Sequence, residues 1–253
     1  MKYTVLTLFP EICDVFFSTS IMAKAIERGI IQYRAINIRD FAKDKHKTCD
    51  DAPYGGGPGM IMLAQPLSLA LESAGVEKKT VAENGKKAVI YLSPSGNPFN
   101  QAMAKELAAM EELVLVCGRY EGIDQRVIDL YIDREISVGD YILSSGEIGA
   151  LAVIDSTYRL VDGVIAPESL EEESFSDGLL EYPQYTRPEI FDTIKVPEEL
   201  LSGHHENIRR WRLLQRVKKT LCNRPDLIEQ GRSLGIFDKE INSIIGDVEN
   251  ERN

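Results

Sequence analysis

Apolar, β-branched runs alternate with helical repeats along the first 165 residues of the chain. Five runs predict strands, and the fourth, Leu113–Cys117, is apolar throughout, as expected of a strand covered on both faces. This alternation predicts an α/β domain with a parallel sheet. The predicted strands are Tyr3–Leu8, Tyr33–Ile38, Ala88–Leu92, Leu113–Cys117 and Glu135–Val138, and the predicted helices are Glu11–Arg28, Pro66–Ser73, Phe99–Met110, Ile123–Tyr131 and Gly146–Leu160.

The pattern changes after residue 165. Residues 166–184 keep no periodicity and are rich in Glu, Ser, Gly and Pro, which predicts an interdomain linker that is mobile. Residues 185–253 predict a smaller helical domain, in which Ser202 caps the longest helix and Pro225 opens a further segment. The helices predicted there are Val196–Leu201, Ser202–Cys222 and a short one near Asp238–Ile245.

The composition is that of an ordinary globular protein. Hydrophobic residues make up 43% and charged residues 27% of the 253 residues, which excludes a disordered, collagenous or fibrous protein. No apolar run approaches the roughly 18 residues of a membrane span, and the N-terminal residues predict a strand and a helix instead of a signal peptide. The four cysteines are far apart and form no C-x-x-C pair, so we expect no zinc site, no disulfide framework and a cytoplasmic location.

The charge is unevenly distributed. The net charge of −11 argues against indiscriminate binding of nucleic acid. Between residues 207 and 225, however, seven basic residues occur without an acidic one. This run predicts either an RNA-binding helix or a solvated helix face, and charge alone does not separate the two. The basic residues are Arg209, Arg210, Arg212, Arg216, Lys218, Lys219 and Arg224.

Glycine-containing loops follow three neighbouring predicted strands. The motifs of P-loop NTPases, dinucleotide-binding folds and serine hydrolases are all missing from the sequence. Instead, Leu92–Gly96, Cys117–Gly122 and Ser137–Glu147 lie at strand ends, where open α/β sheets bind their ligands. A fourth glycine-rich segment, residues 54–60, is either a loop that closes on a ligand or a plain connection. The three strand-end loops together predict one binding site.

These motifs, taken in order, resemble the bacterial tRNA (guanine-N1)-methyltransferase family, which modifies the guanine at tRNA position 37, on the 3′ side of the anticodon. The likeness extends from Leu8 to about Arg224. The motifs that carry it are YGGGPGM (54–60), YLSP (91–94), LVCGRYEGID (115–124), SVGDYILSSGE (137–147), YTRPE (185–189), LLSGHH (200–205) and IRRWR (208–212).

The resemblance implies a parallel-sheet domain with a deep trefoil knot that binds S-adenosylmethionine. It also implies a homodimer with active sites shared between the chains, a C-terminal domain that holds the anticodon stem-loop, no zinc and a role for Mg²⁺. Carried over by motif, the cofactor-binding residues are Leu92, Ser93, Pro94, Gly118, Tyr120, Glu121, Ser137, Val138, Gly139, Asp140, Tyr141, Ile142 and Leu143.

The resemblance further implies a carboxylate as general base and an arginine that stabilises charge on the guanine O6. The arginine corresponds to Arg159. The base is an Asp in the family, and here Glu173 takes its place. Glu172 is the alternative base. The plainer interpretation is that both glutamates belong to a solvated acidic linker without a catalytic role. Asp50 is a candidate for base reading, and Arg209, Arg210 and Arg212 are candidates for RNA binding. The competing function is a non-catalytic RNA-binding protein.

Overall fold

The computed structural model describes residues 1–79, 86–166, 169 and 173–252. The chain divides into two compact units, Met1–Ile165 and Ala166–Asn253, and each has its own hydrophobic core. Among the described helices, none combines the length with the apolar character that crossing a membrane requires.

The first unit alternates strands and helices, as predicted. A 3₁₀ turn at Ile38–Phe41 follows the second strand. The elements are β1 (Lys2–Thr7), α1 (Pro10–Phe17), α2 (Ser20–Glu27), β2 (Gln32–Asn37), β3 (Asp50–Asp51), β4 (Ile61–Met62), α3 (Ala64–Ser73), β5 (Lys87–Pro98), α4 (Gln101–Ala108), β6 (Glu112–Cys117), α5 (Gln125–Tyr131), β7 (Arg134–Ser137) and α6 (Gly146–Tyr158).

A five-stranded parallel sheet with the order β2-β1-β6-β5-β7 forms the centre of this unit and confirms the predicted α/β class. Helices cover both faces. Val5 and Leu115 pack on the side of α1, α2, α4 and α6, whereas Leu6 and Val116 pack on the side of α3 and α5. Because successive side chains of a strand point to opposite faces, the central strands are apolar at nearly every position.

Strand β5 continues six residues beyond the predicted end at Leu92. After a shift in register, Asn97 pairs with Ile136 of β7. Gly96 lies in this extension, where a Cβ atom would be only 2.4 Å from the backbone nitrogen of Ile136. Only glycine allows the two backbones to approach so closely.

The single helix predicted over Glu11–Arg28 is wrong, because the chain forms α1 and α2 with a break between them. The hydroxyl of Ser18 donates to the carbonyl of Val15, and the hydroxyl of Thr19 donates to the same carbonyl. Such local bonds compete with helix propagation. Ser20, which follows, has a positive φ of 56°.

The second unit is helical apart from one small hairpin. Its elements are β8 (Ile190–Phe191), β9 (Ile194–Lys195), α7 (Glu198–Leu201), α8 (His205–Asn223), α9 (Pro225–Leu234) and α10 (Lys239–Arg252). Ser202 is not the cap of α8, which contradicts the prediction. The cap is His204, whose Nδ1 accepts from the backbone N–H of Asn207. Ser202 lies in the preceding turn, where its hydroxyl donates to the carbonyl of Glu199.

Part of the predicted linker packs within the second unit. Leu179 is fully buried in the core that Val217 and Ile228 also form. The buried guanidinium of Arg216 donates to the carboxylate of Asp177 and to the carbonyl of Leu180. The chain is therefore attached to α8 from Asp177 onward. Residues 167, 168 and 170–172 lie outside the described residues.

Candidate active site

The loops that follow β5, β6 and β7 converge on one cavity of about 330 Å³ at the carboxyl edge of the sheet. Their convergence follows from parallel strand order, because neighbouring parallel strands end at the same edge. Asp140 does not line the cavity. All other predicted cofactor residues do: Leu92, Ser93, Pro94, Gly118, Tyr120, Glu121, Ser137, Val138, Gly139, Tyr141, Ile142 and Leu143.

The floor of the cavity contains a residue that the sequence analysis missed. Tyr91 is 6% exposed and lies against Gly118, where a Cβ atom would be 2.8 Å from the ring. Gly118 therefore brings the backbone of one loop onto the aromatic ring of another. Tyr91 is the first residue of the YLSP motif, but it also belongs to the apolar run of β5, which favours a role in the core. Arg119, also missed, lies within the GRYEG motif and lines the cavity.

The loop after β7 is held by its own hydrogen bonds. The hydroxyl of Ser137 donates to the carbonyl of Gly139 at 3.1 Å, and the backbone N–H of Gly139 donates back to this hydroxyl at 3.3 Å. Gly139 has a φ of +151°, and a Cβ atom there would lie 2.4 Å from the ring of Tyr141. The Tyr141 hydroxyl donates to the carbonyl of Val138. This backbone path therefore requires glycine.

A buried glutamate connects this site to the first strand. Glu147, in the first turn of α6, is fully buried, and its Oε1 accepts from the hydroxyl of Thr7 at 2.5 Å. The same hydroxyl accepts from the backbone N–H of Phe9 at 2.9 Å. The chain of bonds fixes the residues that follow β1 relative to the start of α6.

The thiols near Glu147 are not nucleophiles. Burial raises the pKa of Cys117 well above its usual value, and the charge of Glu147 raises it further. Burial is the main cause that raises the pKa of Cys13 to about 12, and the charge of Glu147 adds to the increase. Because the thiolate is the reactive form, both side chains are inert near pH 7. The site therefore offers no cysteine for covalent catalysis.

Tyr120 links the cavity to Asp50. Its φ of 59° is unusual for a residue other than glycine. Burial raises the pKa of the Tyr120 hydroxyl, and a hydrogen bond to Asp50 raises it further, whereas Arg39, which bonds to the same hydroxyl, lowers it. Asp50 is therefore positioned beside the cavity, and its contact with a bound base stays a prediction.

The glycine-rich segment of residues 54–60 contacts the loop after β6. The backbone N–H of Glu121 donates to the carbonyl of Met60 at 3.0 Å. A Cβ atom on Gly59 would lie 2.4 Å from the Glu121 side chain. Tyr54, at the start of the segment, is fully exposed. One end of the segment is thus packed at the site, while the other extends into solvent.

The predicted catalytic residues belong to different units. Arg159 caps the C-terminus of α6 in the first unit and is half-buried. Glu173 is half-buried in the second unit. Glu172 lies outside the described residues.

The three predicted RNA-binding arginines of α8 differ in their surroundings. Arg209 forms ion pairs with Glu206 at 2.7 Å and with Glu240 at 2.8 Å. The guanidinium of Arg212 lies over the ring of Tyr182, 4.7 Å from its centroid. Arg210 is exposed and joins no ion pair with any residue the structure describes. The two exposed arginines, Arg209 and Arg210, thus differ in that described carboxylates pair with Arg209 and not with Arg210.

No three side chains of His, Cys, Asp or Glu come together as metal ligands anywhere in the described ranges. Two carboxylates near the cavity bond to protein groups, Asp50 to Tyr120 and Glu147 to Thr7. The role for Mg²⁺ that the resemblance implies stays a prediction.

Comparison with known proteins agrees with this geometry. Residues 1–230 match the family described as "tRNA (Guanine-1)-methyltransferase TrmD". A Treponema denticola protein named tRNA (guanine-N(1)-)-methyltransferase is 61% identical over 251 residues, covering 99% of this chain and all of the relative. Relatives of the same name in Borreliella burgdorferi and Treponema pallidum are 60% and 54% identical, over 90% and 99% of this chain and 92% and 97% of their own lengths. The chain belongs to the tRNA (guanine-N1)-methyltransferase family.

Proposed function

We propose that this protein transfers a methyl group from S-adenosylmethionine to N1 of the guanine at position 37 of tRNA. The observation that carries the proposal is the convergence of three strand-end loops on one cavity, which is lined by all of the predicted cofactor-binding residues except Asp140. Its volume of about 330 Å³ is in the range of small-molecule sites. Gly118 and Gly139 let the loop backbone pack against the rings of Tyr91 and Tyr141, which also line this cavity. The knot that the family resemblance implies is part of this proposal.

S-adenosylmethionine, when bound, supplies a methyl group on a positively charged sulfur. The protein must then make guanine N1 nucleophilic, because this nitrogen carries a proton at pH 7. The carboxylate of Glu173 accepts that proton as general base. Its removal places negative charge on N1 and O6. The guanidinium of Arg159 stabilises the charge on O6 by a hydrogen bond that strengthens as the charge develops.

Glu173 replaces the Asp of the family pattern, and its side chain is longer by one methylene. The carboxylate therefore reaches the same nitrogen only from a backbone that lies farther from it. Glu173 occupies a turn in which its carbonyl accepts from the N–H of Ser176 at 3.1 Å. Glu172 remains the alternative base.

RNA binding is assigned to the second unit, and within it to Arg210 first. Its guanidinium is exposed on α8, whereas Arg209 and Arg212 already contact protein groups. Arginine is well suited to phosphate because its planar fork donates two parallel hydrogen bonds. The anticodon stem-loop is the part of tRNA that brings guanine 37 to the site.

We further propose a homodimer, on the basis of the outer face of α6. On this face Ile148 remains 56% exposed. Ile142, in the loop before α6, is 81% exposed. A second copy that covers this face would bury both side chains and complete the site. Light scattering should give about twice the chain mass of 28.3 kDa, and an active monomer would refute the dimer.

The function is tested by incubating the protein with methyl-labelled S-adenosylmethionine and bulk bacterial tRNA. We expect labelled 1-methylguanosine after digestion of the tRNA, and none when guanine 37 is replaced in a single transcript. A protein that binds tRNA but never transfers label would instead be the non-catalytic RNA-binding protein.

A further inference from the structure

Two arginines of the first unit, Arg39 and Arg119, lie near the same aromatic ring, that of Phe9. Their Cζ atoms are 5.9 Å and 4.6 Å from the ring centroid. All three residues come just after strands, namely β2, β6 and β1, which are neighbours in the sheet. The cluster therefore lies at the carboxyl edge of the sheet, and Arg119 itself lines the cavity.

Neither guanidinium of this cluster forms an ion pair with a carboxylate of the residues that the structure describes. Other arginines do, such as Arg126 with Asp124. The protein carries a net charge of −11, yet no described carboxylate forms an ion pair with either of these two neighbouring cations. A cation–π contact with Phe9 is weaker than a bidentate bond to an anion. The cluster is therefore suited to bind an anion.

Both arginines are held in place by the surrounding loops. The guanidinium of Arg39 hydrogen-bonds to the Tyr120 hydroxyl, which in turn bonds to Asp50. Tyr120 follows Arg119 directly and has the positive φ of 59°, a conformation that persists only where the surroundings enforce it. Phe9 is fixed through its backbone N–H to Thr7. An anion would thus meet a largely preorganised site, which lowers the entropic cost of binding.

We propose that Arg39 and Arg119 form an anion subsite that holds a phosphate of the RNA backbone next to the guanine that is methylated. This inference rests on the proposed function. The other anion available is the carboxylate of the methyl donor. Arg119 lines the cavity but Arg39 does not, so an anion that contacts both guanidiniums extends beyond the cavity. The RNA backbone meets this condition.

The test compares Arg119→Ala and Arg39→Ala with the wild-type full-length protein. A tRNA transcript is titrated at several salt concentrations, and S-adenosylmethionine is titrated separately by calorimetry. We expect each variant to bind tRNA about 10- to 100-fold more weakly, the effect of losing one charge-assisted hydrogen bond. The slope of log affinity against log salt should fall by about 0.7–0.9 for the lost phosphate contact. Affinity for S-adenosylmethionine should stay unchanged in Arg39→Ala, because Arg39 does not line the cavity.

Arg126→Ala is the matched control, because Arg126 is an arginine of the same edge already paired with Asp124. It should keep the wild-type tRNA affinity and salt slope. Arg119→Lys, which keeps the charge but not the planar fork, should retain most of the slope and lose part of the affinity.

Wild-type tRNA affinity and salt slope in both alanine variants would overturn the subsite, and so would a loss confined to S-adenosylmethionine. In either case an active wild-type protein leaves the proposed function standing. If the wild-type protein neither binds nor methylates tRNA, the proposed function fails and this inference fails with it.

Discussion

A Cβ atom built on Gly146 would lie 2.8 Å from the Cα atom of Cys117. The first turn of α6 thus rests directly on the end of β6, and the Gly146 N–H donates to the carbonyl of Gly118 at 2.8 Å. Two of the three loops around the cavity therefore meet backbone to backbone. Glycine at position 146 is required by this contact and not by an unusual φ.

We expect Gly146→Ala to push α6 away from β6. Overpacking against backbone destabilises by about 1–3 kcal/mol, and the distorted loops should also lose affinity for S-adenosylmethionine. Chemical denaturation and calorimetry measure the two effects. The control is Gly246→Ala in α10, where a Cβ atom meets nothing within 4 Å, so stability should rise by up to about 1 kcal/mol. Equal stability of the two variants would contradict the contact.

Gly139→Val should abolish binding of S-adenosylmethionine. A β-branched residue disfavours the φ of +151° and would collide with the Tyr141 ring, so the loop after β7 must move. Calorimetry on the folded variant measures the loss. Gly29→Val is the control, because Gly29 also has a positive φ of 71° but open space around it. It should lose stability but keep its affinity. Wild-type affinity of a folded Gly139→Val protein would refute the assigned cofactor site.

Glu173→Gln should slow methyl transfer by about 10²–10⁴-fold, because an amide cannot accept the N1 proton. Binding of S-adenosylmethionine should not change. Glu173→Asp should also lose activity, though less, since the shorter side chain keeps the carboxylate but not its reach. Single-turnover rates measure these effects.

Glu172→Gln is the matched control for the position of the base. If it is slow while Glu173→Gln is normal, Glu172 is the base. If both are normal, neither carboxylate removes the proton, and water or another residue does.

The triple replacement of Arg209, Arg210 and Arg212 by Ala should weaken tRNA binding and flatten its salt dependence. We expect Arg210→Ala alone to reproduce most of this loss, because none of the carboxylates that the structure describes forms an ion pair with Arg210. Filter binding at several salt concentrations separates the variants, and circular dichroism checks the fold, since Arg212 also packs on Tyr182. Unchanged binding by the folded triple variant would place the RNA surface elsewhere.

Protonation of Glu112 at acid pH should lower the free energy of unfolding of the first unit. Burial alone would raise the pKa of Glu112, but hydrogen bonds from Lys2 and Thr4 and the charge of Lys87 lower it overall. A depressed folded-state pKa gives stability that is present above the unfolded pKa of about 4.3 and is lost as the pH falls through the folded-state value. Glu112→Gln should therefore destabilise at pH 7 and show a flatter decline in unfolding free energy below pH 5. Parallel declines in the two proteins would contradict this role.

The parallel sheet and its ligand edge could be predicted from the sequence because both depend on local signals. The apolar run of β6 marks a strand covered on two faces, and the glycines after it mark a sharp turn. Neighbouring parallel strands end at the same edge of a sheet, so the convergence of the three loops could be predicted without knowing how the side chains pack. The lining residue Tyr91 could not be found this way, since its role depends on which ring Gly118 approaches.

The surroundings of the basic run could not be predicted from the sequence either. Arg209 and its partner Glu240 are 31 residues apart in the chain, so their ion pair depends on how α10 packs against α8. The break between α1 and α2 was missed for a different reason. Ser18 and Thr19 continue a helical pattern of residues, and only their bonds to the Val15 carbonyl show that the helix stops.

The ion pair between Arg216 and Asp177 limits how far Glu173 can move from α8. Glu173 is four residues before Asp177, and an extended chain spans at most about 3.6 Å per residue. The backbone at Glu173 therefore stays within about 14 Å of the Asp177 backbone. Any rearrangement on RNA binding must keep the Glu173 backbone inside this radius or break the ion pair of the buried Arg216 guanidinium, which is destabilising. Because α8 holds Asp177 in place, the extra methylene of a glutamate at position 173 extends the distance that its carboxylate can reach.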